Sequence, residues 1–335
     1  MKYRKSEAKE YARQNIKGVW GATFTPFTTD YKVDEEATRF NVRYYIDHLE
    51  LEGMFVCGTL GEFWYLTVEE RKRIARIHVE EAQGDMLIMP FTFDPVLENE
   101  IEMIKYSEDI GADLVVTSQP TFPAGDGVND ERIFQRFKYL SDHSNIGIAI
   151  FHAPTQGYWM SPQLISRIAD LPNIVAIKNM GDFQSLRMTR ILSGDKILVC
   201  DPLETQWWTN MTVYGQQALF ATYWSHIYQS KNLKLVNEYT ALYRSGQVAK
   251  ALELCQRVEP IRRAYDSVTF HGMLRSCNKY WSQCLGMAGG DGRVRLPQRE
   301  VTEEAKRAIK AAVESTELLG APVRPGKSVI EPVAA

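Results

Sequence analysis

The sequence predicts an α/β protein, a (β/α)₈ TIM barrel with a C-terminal helical extension. Its 335 residues fit one barrel of roughly 250 residues plus an appendix. Eight short apolar runs recur along the chain, and each is followed by a helical pattern, as expected for a closed parallel barrel. After residue 246 the strand patterns stop. We therefore predict an N-terminal segment at 1–16, the barrel at 17–246, the helical extension at 247–317 and a tail at 318–335.

The strands are predicted from runs that are solidly apolar, such as Ile-Val-Ala-Ile before Lys178. Parallel strands covered by helices on both faces have this composition, because neither face meets water. The predicted strands are 18–24, 54–57, 86–92, 113–117, 146–151, 174–177, 196–200 and 218–222.

Helix start signals follow several of these runs. Asp34 precedes two glutamates, and the sequence from Thr67 to Glu70 is a capping box. Ser161 precedes a proline suited to the first turn of a helix. The extension adds three helical patterns, at 248–265, 272–285 and 302–317.

An open, doubly wound sheet is the alternative architecture. That fold carries a glycine-rich phosphate turn after an early strand. The sequence Gly58-Thr59-Leu60-Gly61 follows the second run but lacks the GxGxxG spacing, and the chain has no P-loop sequence. The pattern therefore favours the barrel, and we expect no cofactor.

The composition argues against several classes of partner. The net charge is −3 and no block of Lys and Arg stands out, so we expect neither nucleic acid nor an anionic membrane as a partner. No apolar run has the length of a membrane span, and the first residues lack the apolar stretch of a signal peptide. Five scattered cysteines without a CxxC motif indicate reduced thiols in a cytoplasmic protein.

Lys178 is the most informative candidate for chemistry. It follows four apolar residues at the end of the sixth predicted strand, where a barrel opens into its active site. Burial there would lower the pKa of the amine, and a neutral amine can attack a ketone to form an iminium. The alternative is an ordinary strand-end lysine that points to solvent or pairs with a carboxylate.

The turn after the second strand is a candidate carboxylate site. In Gly58-Thr59-Leu60-Gly61, glycines allow close approach to the backbone amides and Thr59 adds a hydroxyl. An ordinary strand-to-helix turn is the alternative. Glu62, which follows, is expected to be structural rather than a general base.

Aromatic residues cluster after the predicted strands. They indicate a pocket for a flat or apolar ligand, or else packing between loops or a subunit interface. The tryptophans concerned are Trp64, Trp159, Trp207, Trp208 and Trp224, with Phe63, Tyr65, Phe122, Tyr158 and Tyr223 beside them.

A metal site would have to use His152, His226, Asp201 and Glu204, which all follow strands. No HxxxH or His-x-His spacing supports such a site. We therefore predict no metal.

Together these features resemble the dihydrodipicolinate synthase / N-acetylneuraminate lyase family of class I aldolases. The resemblance rests on Lys17-Gly-Val-Trp20 with Thr25-Pro26, on the Gly58 to Glu62 turn, and on Ile174-Val-Ala-Ile-Lys178. It implies a (β/α)₈ barrel with a helical extension and a homotetramer built as a dimer of dimers. It also implies that Lys178 is the Schiff-base lysine and that Gly58, Thr59 and Leu60 hold the carboxylate of a 2-oxo acid.

The chain also departs from the family pattern. A tyrosine that usually ends strand five and relays protons is replaced by Phe151, so we expect the neighbouring His152, or else His226, to handle protons. The loop arginine of lysine-pathway synthases is replaced by Gln156, and their tyrosine pair after strand four falls in 119–122. Leu60 replaces the second hydroxyl of the turn. These departures argue against a role in lysine biosynthesis.

The resemblance is greatest to hydratase-aldolases, which cleave arylidene-pyruvates to an aromatic aldehyde and pyruvate in aromatic compound degradation. The Trp224-Ser225 pair after strand eight and the apolar residue within the turn are similar. We predict a lyase with catalytic Lys178, His152 and Thr59, acting on pyruvate or another 2-oxo acid. The alternatives are a metal-dependent aldolase and a non-catalytic, 2-oxo-acid-binding member. Further substrate contacts are expected from Gly58, Leu60, Phe151, Gln156, Trp224, Ser225 and His226.

Overall fold

Eight parallel strands form the centre of the computed structural model, which describes residues 2–119, 129–154, 157–268 and 272–320. β1 pairs with β2 and β8, β2 pairs with β3, and β4 to β7 pair in chain order. A parallel bridge between Phe91 and Val116 joins β3 to β4, and β7 lies beside β8, which closes the barrel. The strands are β1 Gly18–Ala22, β2 Gly53–Val56, β3 Leu87–Pro90, β4 Val115–Ser118, β5 Ile148–His152, β6 Ile174–Asn179, β7 Leu198–Cys200 and β8 Ala218–Phe220.

Helices follow the strands and continue past the barrel. The helices of the described residues are α1 Ala8–Asn15, α2 Glu35–Asp47, α3 Val68–Ala82, α4 Leu97–Asp109, α5 Asp130–Asp142, α6 Pro162–Ile168, α7 Phe183–Ser193, α8 Glu204–Thr212, α9 Trp224–Ile227, α10 Leu235–Arg244, α11 Val248–Arg257, α12 Glu259–Asp266, α13 Leu274–Cys284 and α14 Glu303–Glu314. None of them is long and apolar enough to span a bilayer.

The predicted (β/α)₈ barrel with C-terminal helices is confirmed, and all eight predicted strands exist. Their ends differ from the apolar runs by at most two residues, because hydrogen bonds to neighbouring strands set the ends. The difference matters at β6, which continues through Asn179 and so contains Lys178 within the strand. Every residue of β5 and β6 is buried, as the apolar composition predicts.

The capping signals act as predicted. Asp34 accepts a hydrogen bond from the amide of Ala37, and Thr67 and Glu70 form the reciprocal capping box of α3. Ser161 accepts from Leu164 at the start of α6, with proline in the first turn.

The helical pattern predicted at 248–265 is confirmed, and it is divided into α11 and α12 with a break at Val258. Pro260 explains the break. It has no amide hydrogen to donate within a continuing helix, but it fits the first turn of a new one.

The N-terminal segment holds a helix that the sequence analysis did not predict. In α1, Ala8 and Ala12 are fully buried, and Ile16 is buried just after it. Lys9 donates a hydrogen bond to the carbonyl of Ala169 at the loop before β6. The helix therefore packs against the end of the barrel where the strands begin, leaving the opposite end for the active site.

Candidate active site

Lys178 lies within the barrel on β6, in register with Phe151 of β5 and Cys200 of β7. Only 4% of the residue is exposed. Its Nζ lies 3.2 Å from the carbonyl oxygen of Ala221 and 3.3 Å from Oγ1 of Thr222. No carboxylate of the described residues pairs with it, so it is not the solvent-facing or ion-paired lysine of the alternative interpretation.

The surroundings of Lys178 favour the neutral amine. The Nζ atom is 4.7 Å from the ring centre of Phe55 and 5.4 Å from that of Phe151. Burial among such groups disfavours the ammonium form and lowers the pKa of Lys178 to about 7. A large fraction of the side chain is therefore an uncharged nucleophile at neutral pH.

Lys178 lines an inner cavity of about 320 Å³. The Gly58–Leu60 turn forms one wall, so the structure brings together the two features that the sequence analysis paired. Aromatic and aliphatic side chains form most of the rest. The complete lining is Ala22, Phe55, Gly58, Thr59, Leu60, Phe91, Val116, Phe151, Lys178 and Thr222.

The turn presents free hydrogen-bond donors to this cavity. Within the described residues, no acceptor is found for the amides of Thr59 and Leu60 or for the Thr59 hydroxyl. The turn needs glycine at Gly61, since a Cβ there would lie 2.9 Å from the Cα of Cys57. Thr25 fixes the same glycine by donating to its carbonyl over 2.8 Å.

Helix α13 holds the turn from outside. Glu62, at the end of the turn, is fully buried and forms an ion pair with the equally buried Lys279. Arg275, one helical turn earlier, donates from Nε to the carbonyl of Thr59 over 2.9 Å. Glu62 is therefore structural, as expected.

His152 does not line the cavity, which contradicts its predicted role in proton transfer. Its Nδ1 lies 3.1 Å from Oδ1 of Asn179, its Nε2 accepts from the amide of Met160 over 3.1 Å, and its ring stacks on Trp159. Side chains alternate along a strand, so Phe151 points into the barrel and His152 points out. Burial also lowers the pKa of His152 to about 4.

His226 and Ser225 are also absent from the cavity lining. Both are fully buried in α9, where His226 contacts the rings of Phe24 and Tyr45. Burial lowers the pKa of His226 to about 3, so it stays neutral. Neither residue is placed to contact a ligand, because both point into the packing around α9.

Gln156 lies outside the described residues, as do Thr155 and 120–128. The predicted substrate contact of Gln156 and the position of Phe122 therefore stay predictions. Gln119, which precedes this gap, is buried and donates to the carbonyl of Ala153 over 2.6 Å.

An outer vestibule of about 790 Å³ adjoins the inner cavity and shares Thr59, Leu60, Phe151 and Thr222 with it. Two of the predicted aromatic residues, Tyr223 and Trp224, line it, with ring centres 4.8 Å apart. The remaining lining residues are Met180, Leu203, Leu274 and Arg275.

The other tryptophans do not line the vestibule. Trp207 is fully buried and donates to Thr240, and Trp208 packs against Tyr239 and Tyr243. Trp64 is 47% exposed beside Arg275. For Trp207 and Trp208 the contacts support the packing alternative, since α8 places both side chains against α10.

The residues considered for a metal site have partners of other kinds. Glu204 forms a two-point ion pair with Arg262, and Asp201 accepts from the amide of Leu203 and the side chain of Asn210. In the part of the chain that the structure describes, no group of three or more His, Cys, Asp or Glu side chains is placed to hold a metal ion.

Among the lining residues that were not predicted, Thr222, Phe55 and Arg275 make the contacts described above. Thr222 and Phe55 belong to predicted strands, but their residue types carry no chemical signal. Arg275 comes from the extension, where no pattern connects it to the barrel.

A family model decides the relationship of the chain to known proteins. The Dihydrodipicolinate synthetase family matches residues 15–316. The chain belongs to this family. It is therefore an enzyme of the carbon–carbon lyase and synthase class, of the class I aldolase type.

Individual members of the family are more distant. A 4-hydroxy-tetrahydrodipicolinate synthase from Methanothrix thermoacetophila is 26% identical over 293 residues, covering 87% of this chain and 94% of that protein. The corresponding synthase from Anaplasma marginale is 25% identical over 305 residues, covering 91% and 96%.

Solved structures have the same fold at lower identity. A prophage protein of the dihydrodipicolinic acid synthase family from E. coli K12, solved with pyruvate, superposes with a TM-score of 0.79 at 21% identity. It covers 90% of this chain and 99% of the other. A Clostridium difficile protein, CdNal, in complex with mannosamine gives 0.77 at 20% identity, covering 89% and 98%.

Proposed function

We propose that this protein is a Schiff-base aldolase that acts on pyruvate or another 2-oxo acid through Lys178. The observation that carries the proposal is an amine of lowered pKa in the same cavity as a turn whose amide donors have no acceptor among the described residues. The two groups match the two ends of a 2-oxo acid, because the amine attacks the ketone and the turn binds the carboxylate.

The proposed carboxylate site uses the amides of Thr59 and Leu60 with the Thr59 hydroxyl. Backbone donors at a turn bind anions without a cationic side chain. This arrangement binds the carboxylate without placing a second basic side chain in a cavity lined by Phe55, Phe91 and Phe151.

We propose that Thr222 relays the proton for which the family usually has a tyrosine. Its hydroxyl is 3.3 Å from Nζ of Lys178, whereas Phe151 has no hydroxyl and His152 faces away. As the carbinolamine collapses, Thr222 takes a proton from the nitrogen and gives its own to the departing hydroxyl. Water leaves and the neutral imine forms, and uptake of one proton from solvent at the nitrogen gives the iminium.

The more specific proposal is cleavage of an arylidene-pyruvate. Lys178 forms the imine, and water adds across the C3–C4 double bond, with hydroxide at C4 and a proton at C3. The C3–C4 bond then breaks as the C4 hydroxyl loses its proton, and the iminium accepts the electron pair as an enamine. Protonation of C3 and hydrolysis release pyruvate, so one water is consumed per aldehyde and pyruvate formed.

The vestibule supports an aromatic distal group. Tyr223 and Trp224 stand beside Met180, Leu203 and Leu274, so most of its lining is apolar or aromatic. Pockets of this size and composition hold flat organic ligands through contacts with ring faces.

Reduction with cyanoborohydride in the presence of pyruvate tests the Schiff base. We expect mass spectrometry to find a reduced pyruvyl adduct on the peptide of Lys178. Lys279 is a matched internal control, since it is buried and has its own pKa lowered to about 8, but it is paired with Glu62 outside the cavity. An unmodified Lys178 peptide would overturn the proposal, and labelling of both lysines would remove the specificity claimed for the site.

Turnover assays separate the specific activity from its alternatives. We expect aldehyde release from benzylidene-pyruvate to exceed 4-hydroxy-tetrahydrodipicolinate synthesis, the reaction named for the curated relatives. Loss of activity with a chelator, restored by a divalent ion, would instead favour the metal-dependent aldolase. Stabilisation by pyruvate without turnover of any 2-oxo acid would favour the non-catalytic member.

We also propose a cytoplasmic homotetramer, a dimer of dimers, from the resemblance alone. Light scattering after gel filtration measures the mass in solution, and a value other than four chains would contradict this assembly.

A further inference from the structure

Arg275 is the one charged side chain in the lining of the outer vestibule formed by the described residues. It stands in the first turn of α13 and is half-buried. Its Nε donates to the carbonyl of Thr59, and one Nη lies 3.4 Å from the side-chain oxygen of Gln298. These contacts leave several guanidinium hydrogens without an acceptor among the described residues.

The nearby carboxylates are committed elsewhere. Glu62 pairs with Lys279, and Glu204, which follows the vestibule residue Leu203, pairs with Arg262. No ion pair with Arg275 exists in the part of the chain that the structure describes. A half-buried arginine normally has an anionic partner, because removing its charge from water is costly.

We propose that Arg275 binds a second carboxylate, carried on the distal part of the substrate. The identity of the substrate rests on the proposed function, whereas the binding of a carboxylate by Arg275 does not. The substrate would then be a dianion. Its 2-oxo acid group would lie in the inner cavity, and its aromatic ring would pass Thr59 and Leu60, which line both the inner cavity and the vestibule. A carboxylate on the ring meets the guanidinium, which offers the paired donors that carboxylates accept.

The α13 terminus adds to the same preference. Its first turn contains no acidic residue, and its first two residues, Leu274 and Arg275, line the vestibule. The positive end of a helix favours a nearby anion. An apolar ligand without a distal charge would leave the remaining guanidinium hydrogens of Arg275 without an acceptor among the described residues.

Equilibrium binding of unreactive ligands tests the inference without any Schiff base. Cinnamate carries one carboxylate, and 4-carboxycinnamate carries a second on the ring. By calorimetry we expect the wild type to bind the dianion about 10- to 100-fold more tightly, the range of one charged hydrogen-bonded pair. Equal affinities for the two ligands would overturn the inference, whether or not Lys178 forms an imine.

Variants identify the responsible residue. Arg275→Met should remove most of the preference for the dianion, and Arg275→Lys should keep part of it. Arg263→Met is the matched control, because it removes the same charge from an exposed residue of α12 paired with Glu259. A preference that persists in Arg275→Met, or that falls equally in Arg263→Met, would overturn the assignment.

Turnover of a matched substrate pair distinguishes specificity from structural support. With benzylidene-pyruvate and its 4-carboxy derivative, Arg275→Met should raise KM about 10-fold or more further for the carboxylated substrate than for the uncarboxylated one, because both lose the support of Thr59 and only one loses the ion pair. If Arg275 acts only by holding Thr59, Arg275→Met will raise KM equally for the two substrates. It will also weaken pyruvate trapping at Lys178. If trapping already fails in the wild type, the proposed chemistry is wrong while the calorimetric result still decides the role of Arg275.

Discussion

Lys178 and Thr222 account for most of the chemistry that we assign to single residues. The amine of Lys178 is buried against aromatic rings, and the Thr222 hydroxyl is its nearest side-chain hydrogen-bond partner. The two positions come from β6 and from the residues just after β8, and β7 lies between these two strands in the barrel. Their meeting is therefore a consequence of barrel closure.

The rate of imine formation should follow the titration of Lys178. The neutral amine reacts, and burial lowers the pKa to about 7, so the rate should rise as pH increases through about 7 and level off above pH 8. Stopped-flow trapping at saturating pyruvate measures this profile. A lysine with an ordinary pKa would instead give a rate that rises roughly tenfold per pH unit toward pH 10, which would contradict the assignment.

Removing the Thr222 hydroxyl should slow the reaction while leaving the fold intact. Thr222→Val keeps the shape of the side chain but cannot relay a proton, so kcat should fall about 100-fold or more. Thr222→Ser should retain most activity. Phe151→Tyr restores the hydroxyl usual in the family, and we expect it to rescue part of the activity of Thr222→Val. Full activity in Thr222→Val would show that another group moves the proton.

The site residues differ in how far the sequence could predict them. Lys178 was predictable because four apolar residues place it at a strand end, where burial changes the chemistry of an amine. His152 was misassigned because one step along a strand reverses the direction of a side chain. Thr222 could not be singled out, since its role depends on a distance to a residue 44 positions earlier.

At the scale of elements, α13 supports the turn that we assign to carboxylate binding. Arg275 and Lys279 are four residues apart and share one face of the helix, and each reaches the turn, at Thr59 and Glu62. Strands could be predicted from apolar runs because both of their faces are buried. The role of α13 could not, because nothing in a helical pattern identifies the surface on which the helix packs.

Breaking the Glu62–Lys279 pair should destabilise the protein and weaken pyruvate binding. Glu62→Gln leaves a fully buried lysine without its counter-charge, which costs about 3–5 kcal/mol of unfolding free energy. Chemical denaturation measures the loss of stability. The pyruvate concentration that gives half-maximal trapping measures how well the turn still binds the carboxylate. The double variant Glu62→Gln/Lys279→Met should recover part of the stability. An unchanged denaturation midpoint in Glu62→Gln would contradict the importance of this ion pair.

Trp224 at the start of α9 should affect substrate binding more than chemistry. Trp224→Ala removes an aromatic contact of about 0.5–1.5 kcal/mol beyond area burial, so KM for benzylidene-pyruvate should rise several-fold with kcat changed less. Pyruvate trapping at Lys178 should survive. Trp208→Ala is the matched control, because Trp208 packs against Tyr239 and Tyr243 and should lower the melting temperature without raising KM. If Trp224→Ala lowered the melting temperature without raising KM, while Trp208→Ala raised KM, the reason for preferring an aromatic substrate would be removed.

At the scale of the whole molecule, burying the amine of Lys178 inside the barrel lowers the free energy of unfolding. The pKa of Lys178 is about 7 in the folded chain and 10.5 in an exposed lysine. Between these pH values the unfolded chain binds one more proton than the folded one, so stability rises as pH increases from 7 to 10.5 and is flat, for this group, below 7.

Lys178→Met should therefore stabilise the fold while abolishing activity. The gain should be on the order of a few kcal/mol at pH 6–7, and it should shrink as pH rises toward 10. Thermal melts from pH 6 to 10 measure it. Lys310→Met, which replaces an exposed lysine of α14, should show no such trend. A gain that does not depend on pH would mean that packing, and not ionisation, explains the difference.

The position of Arg275 and Lys279 on α13 has a consequence for how such enzymes diversify. The residues assigned to bond making all precede position 223, while a single later helix carries the side chain that we assign to substrate choice. Recombination between relatives at a crossover near 247 would join the catalytic residues of one parent to the α13 helix, and so to the substrate preference, of another. A library of such chimaeras, with the first 246 residues held constant, would therefore vary in the substrates accepted while sharing one catalytic step.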